Sequence, residues 1–452
     1  MFRRVMVANR GEVALRVLRT LHEMGVEGVL ACSEEDAARP PALADRVICM
    51  GPDEPGRSYL SSYDVLNAAV ACGADAVHPG YGFLSEDADF CRLCGEVGVR
   101  FIGPSPEAMR RLGDKAEVCK AAAACGVPVL FLGKAERVEE VERMAGPGRY
   151  PLVLKPCGGG GGRGIRVVES PGRLRESWLR AERESRMSFR HDGFYVERYL
   201  AHARHVEVQL LLDQEGRAAA LPARDCSLQF RHQKWVEETP APGLSPRVQE
   251  RIEEDALRLG SECGLSGLAT VEFLVRGEEY FFIEINPRLQ VEHTVSEMVT
   301  GMDLVKEQLE LAAGRPLARP GEPRGHAVQA RLYLRGAAAP GGIRLRLPGG
   351  PGIRVDAAQA GGGPVSSYDP LLAKVCAWAP TRKEALARLG RALRETELRG
   401  APGNLETLRA LVGSDDFAEA RCHTGSLEEM LGARGAPRPG SGAPVEAPAV
   451  GS

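Results

Sequence analysis

Aromatic residues make up only 5% of the 452 residues, too few for the stacked platforms that hold single-stranded nucleic acid. An excess of charge of one sign is also missing. The 58 basic residues face 61 acidic ones, and the net charge of −3 excludes bulk attraction to nucleic acid while leaving room for local basic pockets. No apolar run approaches the ~20 residues needed to span a bilayer. Met1 to Arg16 alternates apolar and basic residues too early for a secretory signal. The chain is therefore expected in the cytoplasm, with neither membrane nor nucleic acid as a partner. Its 12 cysteines form no short disulfide framework and no paired zinc spacing; Cys91 and Cys94 make a lone C-x-x-C, expected as ordinary thiols on a helix. Asn9-Arg10-Gly11-Glu12 is not the G-x-G-x-x-G turn of dinucleotide enzymes.

Hydrophobic residues at 44% and charged residues at 26% fit a soluble enzyme, and the length suggests about three domains. Val5 to Val7 reads as a strand, and Val13, Val17, Leu21 and Met24 recur at helical spacing. Strands at Gly28–Cys32, Val47–Met50 and Ala74–Val77, with a helix at Tyr63–Ala71, predict a mostly parallel sheet with helices on its faces. His78-Pro79-Gly80-Tyr81-Gly82 follows the fourth strand; it is either a ligand-binding sheet edge or a plain tight turn. The expected division is 1–112, 113–324 (with a lid over about 127–199), 325–431, and an Ala/Pro/Gly tail over 432–452 that cannot bury a core.

Four segments carry chemistry. Lys155-Pro156-Cys157 precedes five glycines (158–162), Arg163 and Gly164, between two strand-like runs. Consecutive glycines let backbone N–H groups converge on an anion, and each costs about 0.5–1 kcal/mol relative to Ala, so a phosphate-covering loop is favoured over a structural turn. Lys155 would reach the phosphates from the strand below. The second segment is a hairpin, 270–275 and 281–286, whose expected register sets Val275 against Phe281. Glu272 then lies opposite Glu284, with Asn286 on the same face. Two carboxylates so placed need a proton or a cation between them, and all-oxygen ligands suit Mg²⁺ or Mn²⁺. In the third segment Arg288, Gln290 and Glu292 alternate toward the metal face; a surface Arg–Glu pair and an anion site with an adjacent proton acceptor both fit. In the fourth, Arg224 to Glu238, His232 and Lys234 alternate with Gln233 and Trp235, which reads first as a charged edge strand.

Taken together, Ala8–Glu12, His78–Glu86, Lys155–Gly164, Arg224–Glu238, Glu284–Glu292 and Tyr368–Lys374 resemble the biotin carboxylase family of the ATP-grasp superfamily. The resemblance spans Arg4 to about Leu431. It implies an α/β protein: a Rossmann-like N-terminal domain, an ATP-grasp centre with a mobile lid, and a β-rich α+β C-terminal domain. It implies ATP-dependent carboxylation of biotin by bicarbonate. Lys115, Lys155, Gly160, Gly161, Gly162 and Gly164 would take the ATP phosphates, Glu197, Arg198 and Leu200 the adenine, and His205, Gln229 and His232 other nucleotide contacts. Glu272, Glu284 and Asn286 would hold two Mg²⁺ or Mn²⁺ ions, and Lys234, Arg288, Gln290 and Val291 bicarbonate. Glu292 would be the base, and Arg331 would face biotin. The partners implied are a biotin carboxyl carrier protein, expected on another polypeptide because no Met-Lys-Met occurs, a carboxyltransferase subunit and a second copy of the chain. Acetyl-CoA carboxylase, which opens fatty acid synthesis, is the expected complex; another acyl-CoA or 2-oxo acid carboxylase, a different ATP-grasp ligase and a non-catalytic ATP-binding module are the alternatives. The sequence departs from the family around Arg331: Gln329 replaces a usual Glu, and Tyr333-Leu334-Arg335-Gly336 replaces Asn-Ala-Glu-Asp.

Overall fold

The structure, a computed structural model, describes residues 1–146, 148–157, 164–188, 193–336, 342–357, 368 and 370–433. Strands β1 (Arg4–Val7), β2 (Glu27–Ser33), β3 (Arg46–Gly51), β4 (Ala76–His78) and β5 (Arg100–Phe101) form a parallel sheet in the order β3-β2-β1-β4-β5. Val5, Met6 and Val7 are all fully buried, as a strand covered on both faces requires. Helix Gly11–Glu23 packs Val13, Val17 and Leu21 on one face; helices Ser62–Cys72 and Ala88–Glu96 cover the other. Cys91 and Cys94 sit buried on the last of these, where burial pushes both thiols up to about 12. Among the described residues none of the twelve cysteines forms a disulfide. Among the described residues no helix is long and apolar enough to cross a membrane.

The segment after β4 is a turn locked from behind. Asn9 donates to the carbonyls of Pro79 (2.6 Å) and Tyr81 (2.8 Å). Gly80, at φ +66, has no room for a side chain, since a Cβ would lie 2.9 Å from the Asn9 amide.

Strands β6 (Phe131–Ala135), β7 (Leu152–Pro156), β8 (Arg166–Val168) and β9 (Phe194–Arg198) form a separate antiparallel sheet, ordered β6-β9-β7-β8. Its core is its own: Val141, Leu152, Leu154, Trp178, Phe194 and Val196. The predicted glycine-rich hairpin is β7–β8. Gly160, Gly161 and Gly162 lie outside the described residues.

The large sheet combines β10 (Arg204–Leu212), β11 (Ala218–Ala220), β12 (Arg224–Phe230), β13 (Gln233–Thr239), β14 (Gly267–Arg276), β15 (Glu279–Asn286) and β16 (His326–Tyr333) with strands from further along the chain. After the short β17 (Arg344–Arg346) come β18 (Ile353–Ala357) and β19 (Leu371–Ala379), and β20 (Glu397–Arg399) pairs with β17. The path β15-β14-β10-β12-β13-β16-β19-β18 is antiparallel throughout and crosses the expected boundary near residue 324 without a break, because Val236 to Thr239 of β13 pair with Ala327 to Ala330 of β16. The charged edge strand expected at Arg224–Glu238 is not there. β12 and β13 are inner strands with neighbours on both sides, and Arg231 and His232, at φ 51 and 65, make the two-residue turn between them.

Candidate active site

The β14–β15 hairpin brings Glu272 opposite Glu284, although not by the expected register. Arg276 pairs with Glu279 across a two-residue turn, so Val275 faces Tyr280 and not Phe281. That would leave the two acids one position out. A bulge at Ile283 restores them: Phe273 pairs with Phe282, and the next pair is Glu272 with Glu284. The extra residue lets Phe282 face the apolar core with Phe273 while Glu284 turns to the polar face. Asn286 shares that face and donates its amide to Glu272 (3.0 Å) and Glu284 (3.4 Å).

Cations reach these acids from three elements. Lys115, at the start of helix Lys115–Ala124, lies 3.2 Å from Glu284. His205 of β10 lies 3.1 Å from Glu272. Lys234 of β13 touches Glu207 (2.6 Å), Glu292 (2.7 Å) and Glu272 (2.9 Å) at once. Buried Arg224 supports Glu207 from behind at 2.6 Å. Burial works against every one of these charges, and the pairing decides the outcome. Burial disfavours the Glu272 carboxylate, but Lys234 and His205 hold it below the usual carboxylate range. Burial likewise opposes Glu292, which Lys234 and Arg331 hold well below that range. Burial raises Glu207, and the neighbouring Glu292 adds to the shift. Burial lowers Lys234, yet its three carboxylates hold it well above its ordinary value.

Segment 287–292 is neither a strand nor a surface ion pair. Arg288 is bound to Glu86, which follows the turn after β4, and donates to Asn286 Oδ1 (3.2 Å) and Gln290 Oε1 (3.2 Å). Glu292 is fully buried; Lys234 holds one oxygen and Arg331 Nη2 the other, at 2.9 Å. Arg331 also binds Glu237. Gln329, where an acid is usual in the family, donates to Glu237 at 3.0 Å, so an amide stands where a second acid would crowd the first. Arg335, in the other departing stretch, lies over the rings of Phe230 (5.2 Å) and Trp235 (5.8 Å).

On the β6–β9 sheet, Lys155 of β7 pairs with Glu197 of β9 at 2.6 Å. The Arg198 N–H donates to the Leu130 carbonyl (3.0 Å), its guanidinium lies 5.4 Å over Phe281, and Leu200 packs with Leu130 and Ala203. Gln229 is 2.9 Å from His205 Nδ1. His232 stands apart, in the exposed turn. The structure thus gathers Lys115, His205, Gln229, Lys234, Glu272, Glu284, Asn286, Arg288, Gln290, Glu292 and Arg331 into one polar cluster. Glu207 and Glu237 belong to it and were missed. For Glu207 the signal was present: His205, Glu207 and Gln209 alternate with apolar residues along β10.

Residues 1–109 match the biotin carboxylase N-terminal domain, 114–319 the ATP-binding domain of the carbamoyl-phosphate synthase L chain, and 336–429 the biotin carboxylase C-terminal domain. The biotin carboxylase of Haemophilus influenzae is 41% identical over 448 residues, covering 96% of this chain and 99% of the relative. A biotin carboxylase complex from Campylobacter jejuni superposes with a TM-score of 0.90 at 34% identity, over 95% of this chain and 99% of the other. The biotin carboxylase domain dimer of Hydrogenobacter thermophilus 2-oxoglutarate carboxylase, solved with MgADP, ADP and bicarbonate, gives 0.89 at 36% identity, over 95% and 98%. Similarity of this degree over almost the whole of both chains makes the protein a member of the biotin carboxylase family.

Proposed function

We propose that the chain is the biotin carboxylase of a biotin-dependent carboxylase, a ligase that uses ATP to activate bicarbonate and passes the carboxyl group to N1′ of biotin on a separate carrier protein. The observation that supports this most is Lys234, held by three carboxylates, one of which, Glu292, also binds Arg331. In this reading Lys115, Lys155 and the Gly158–Gly164 flap (with Gly160, Gly161, Gly162) take the ATP phosphates. Glu197, Arg198 and Leu200 take the adenine, and His205, Gln229 and His232 complete the nucleotide contacts. The donor set of Glu272, Glu284 and Asn286 fits two Mg²⁺ or Mn²⁺ ions, which when bound would offset the phosphate charge.

Lys234, Arg288, Gln290 and Val291 hold bicarbonate. Glu292 is already ionised, so it is ready to accept a proton, but its two cations make it a weak base. Bicarbonate entering between Lys234 and Glu292 breaks that pair and raises the basicity of Glu292. The deprotonated oxygen attacks the γ-phosphorus, ADP leaves, and carboxyphosphate forms. A closed lid keeps water from this anhydride. It breaks down to CO₂ and phosphate; the phosphate takes the N1′ proton of biotin, and N1′ attacks the CO₂ while Arg331 offsets charge on the ureido oxygen.

The parent complex proposed is a cytoplasmic acetyl-CoA carboxylase, with a carboxyltransferase subunit consuming carboxybiotin for fatty acid synthesis. The Hydrogenobacter relative, named for 2-oxoglutarate, supports a 2-oxo acid acceptor as the second reading, and its description as a dimer supports a homodimer here. ADP release measured with and without bicarbonate and free biotin tests the reaction. It is expected to require bicarbonate and to rise with biotin. Release that ignores both would leave another ATP-grasp ligase in its place.

A further inference from the structure

Lys374 is fully buried on β19, and its Nζ lies 3.2 Å from the Val291 carbonyl. Its ion-pair partners are Glu12 of the N-terminal helix Gly11–Glu23, at 2.8 Å, and Asp356 of β18, at 3.6 Å. In the sheet register Lys374 is the direct cross-strand partner of Arg331 on β16 and of Asp356 on β18. Directly opposed side chains share a face. Two neighbouring cations of one sheet therefore grip two consecutive residues of the same segment: Lys374 takes the Val291 carbonyl, and Arg331 takes the Glu292 carboxylate. Like charges so placed repel, and separate acids offset them, Glu12 and Asp356 for Lys374, Glu237 and Glu292 for Arg331. The next residue closes the segment. The His293 ring nitrogen Nδ1 lies 2.7 Å from the Gln290 carbonyl, and a carbonyl can only accept, so Nδ1 carries the proton.

We propose that Lys374 is a positioning residue: by holding the Val291 carbonyl it fixes the Val291–Glu292 peptide, and through Glu12 it makes the placement of Glu292 depend on the docking of the N-terminal domain. This rests on the reading of segment 288–292 as the bicarbonate pocket. Lys374 touches no substrate in this scheme. Its loss should act through the geometry of Glu292, where a shift of about 1 Å costs up to about 10²-fold.

The test uses the full chain carrying Glu12→Gln with Lys374→Met, so that the paired carboxylate is not left buried and uncompensated. Leu389→Ala, which empties part of the C-terminal core, controls for lost stability. Two readouts are taken: hydrogen exchange of the peptide spanning 287–294, and the bicarbonate KM alongside ATP affinity. The double variant is expected to exchange faster in that peptide and to raise the bicarbonate KM about tenfold at unchanged ATP affinity. Leu389→Ala is expected to do neither at an equal loss of Tm. Unchanged exchange in the double variant, or the same kinetic loss in Leu389→Ala, overturns the assignment. Wild-type chain that releases no ADP in response to bicarbonate would instead overturn the functional reading, and the exchange result would still decide the role of Lys374.

Discussion

Replacing Glu292 by Gln removes a buried charge on which Lys234 and Arg331 both depend, and it removes the proposed proton acceptor. Bicarbonate-dependent ADP release by Glu292→Gln should fall at least about 10²-fold while nucleotide affinity, read by titration calorimetry, is retained. Full activity would take Glu292 out of the mechanism. Lys234→Ala is a larger perturbation than a lost substrate contact, because Glu207, Glu272 and Glu292 lose their common cation together. Beyond a raised bicarbonate KM, it should destabilise the fold by about 3–5 kcal/mol in urea unfolding. An unchanged midpoint would mean that the three acids are already neutral. Glu272, Glu284 and Asn286 were legible in the sequence because strand alternation sets them on one face of one hairpin, and Arg288 and Glu292 because they follow it at once, although their segment is not a strand. Glu237 was not: its meaning comes from Arg331, 94 positions away, and no local pattern carries that.

At the scale of elements, the hairpin shows how a correct pairing can follow from an incorrect register. The turn closes one residue tighter than the sequence suggests, and the bulge at Ile283 exists because Phe282 is claimed by the core. Its N–H donates to the Pro128 carbonyl (2.8 Å) and its ring packs near Phe273. The Pro128 contact comes from a distant segment, so the bulge could not be read locally. The strands, helices and parallel N-terminal sheet were legible from periodicity, whereas the continuity of the large sheet through β13 and β16 was not. Gly164 tests the base of the glycine loop. It sits at φ +73, and a Cβ there would lie 2.8 Å from the Pro156 ring. Gly164→Ala should therefore distort the flap and raise the KM for ATP about tenfold with little change in Tm. An unaltered KM would separate this loop from the phosphates.

Across the whole molecule, an ion network joins the N-terminal domain to the rest of the chain. Arg16 pairs with Glu297 (2.8 Å) and Asp303 (2.7 Å), and Arg354 with Glu297 (2.6 Å) and Asp356 (2.8 Å). Burial alone would raise Asp303 and Asp356; Arg16 holds the first below its ordinary value, and Lys374 with Arg354 hold the second. A depressed carboxylate contributes stability that is complete above the unfolded value, about 4, and is lost as pH falls through the lower folded value. Tm should be level from neutral pH to about 5 and then fall steeply, and Arg16→Ala should make that fall shallower. Equal slopes in the two proteins would show that the network does not set the acid limit.

The central step proposed, attack of bicarbonate on the γ-phosphorus of ATP, would leave a mark on its product. An oxygen of bicarbonate stays with phosphorus when the carboxyphosphate loses CO₂. The direct measurement is turnover with ¹⁸O-labelled bicarbonate in unlabelled water, with the isotopic mass of the released phosphate as readout. Phosphate carrying one bicarbonate oxygen is the expected product; unlabelled phosphate would mean that ATP is hydrolysed by water without bicarbonate being activated.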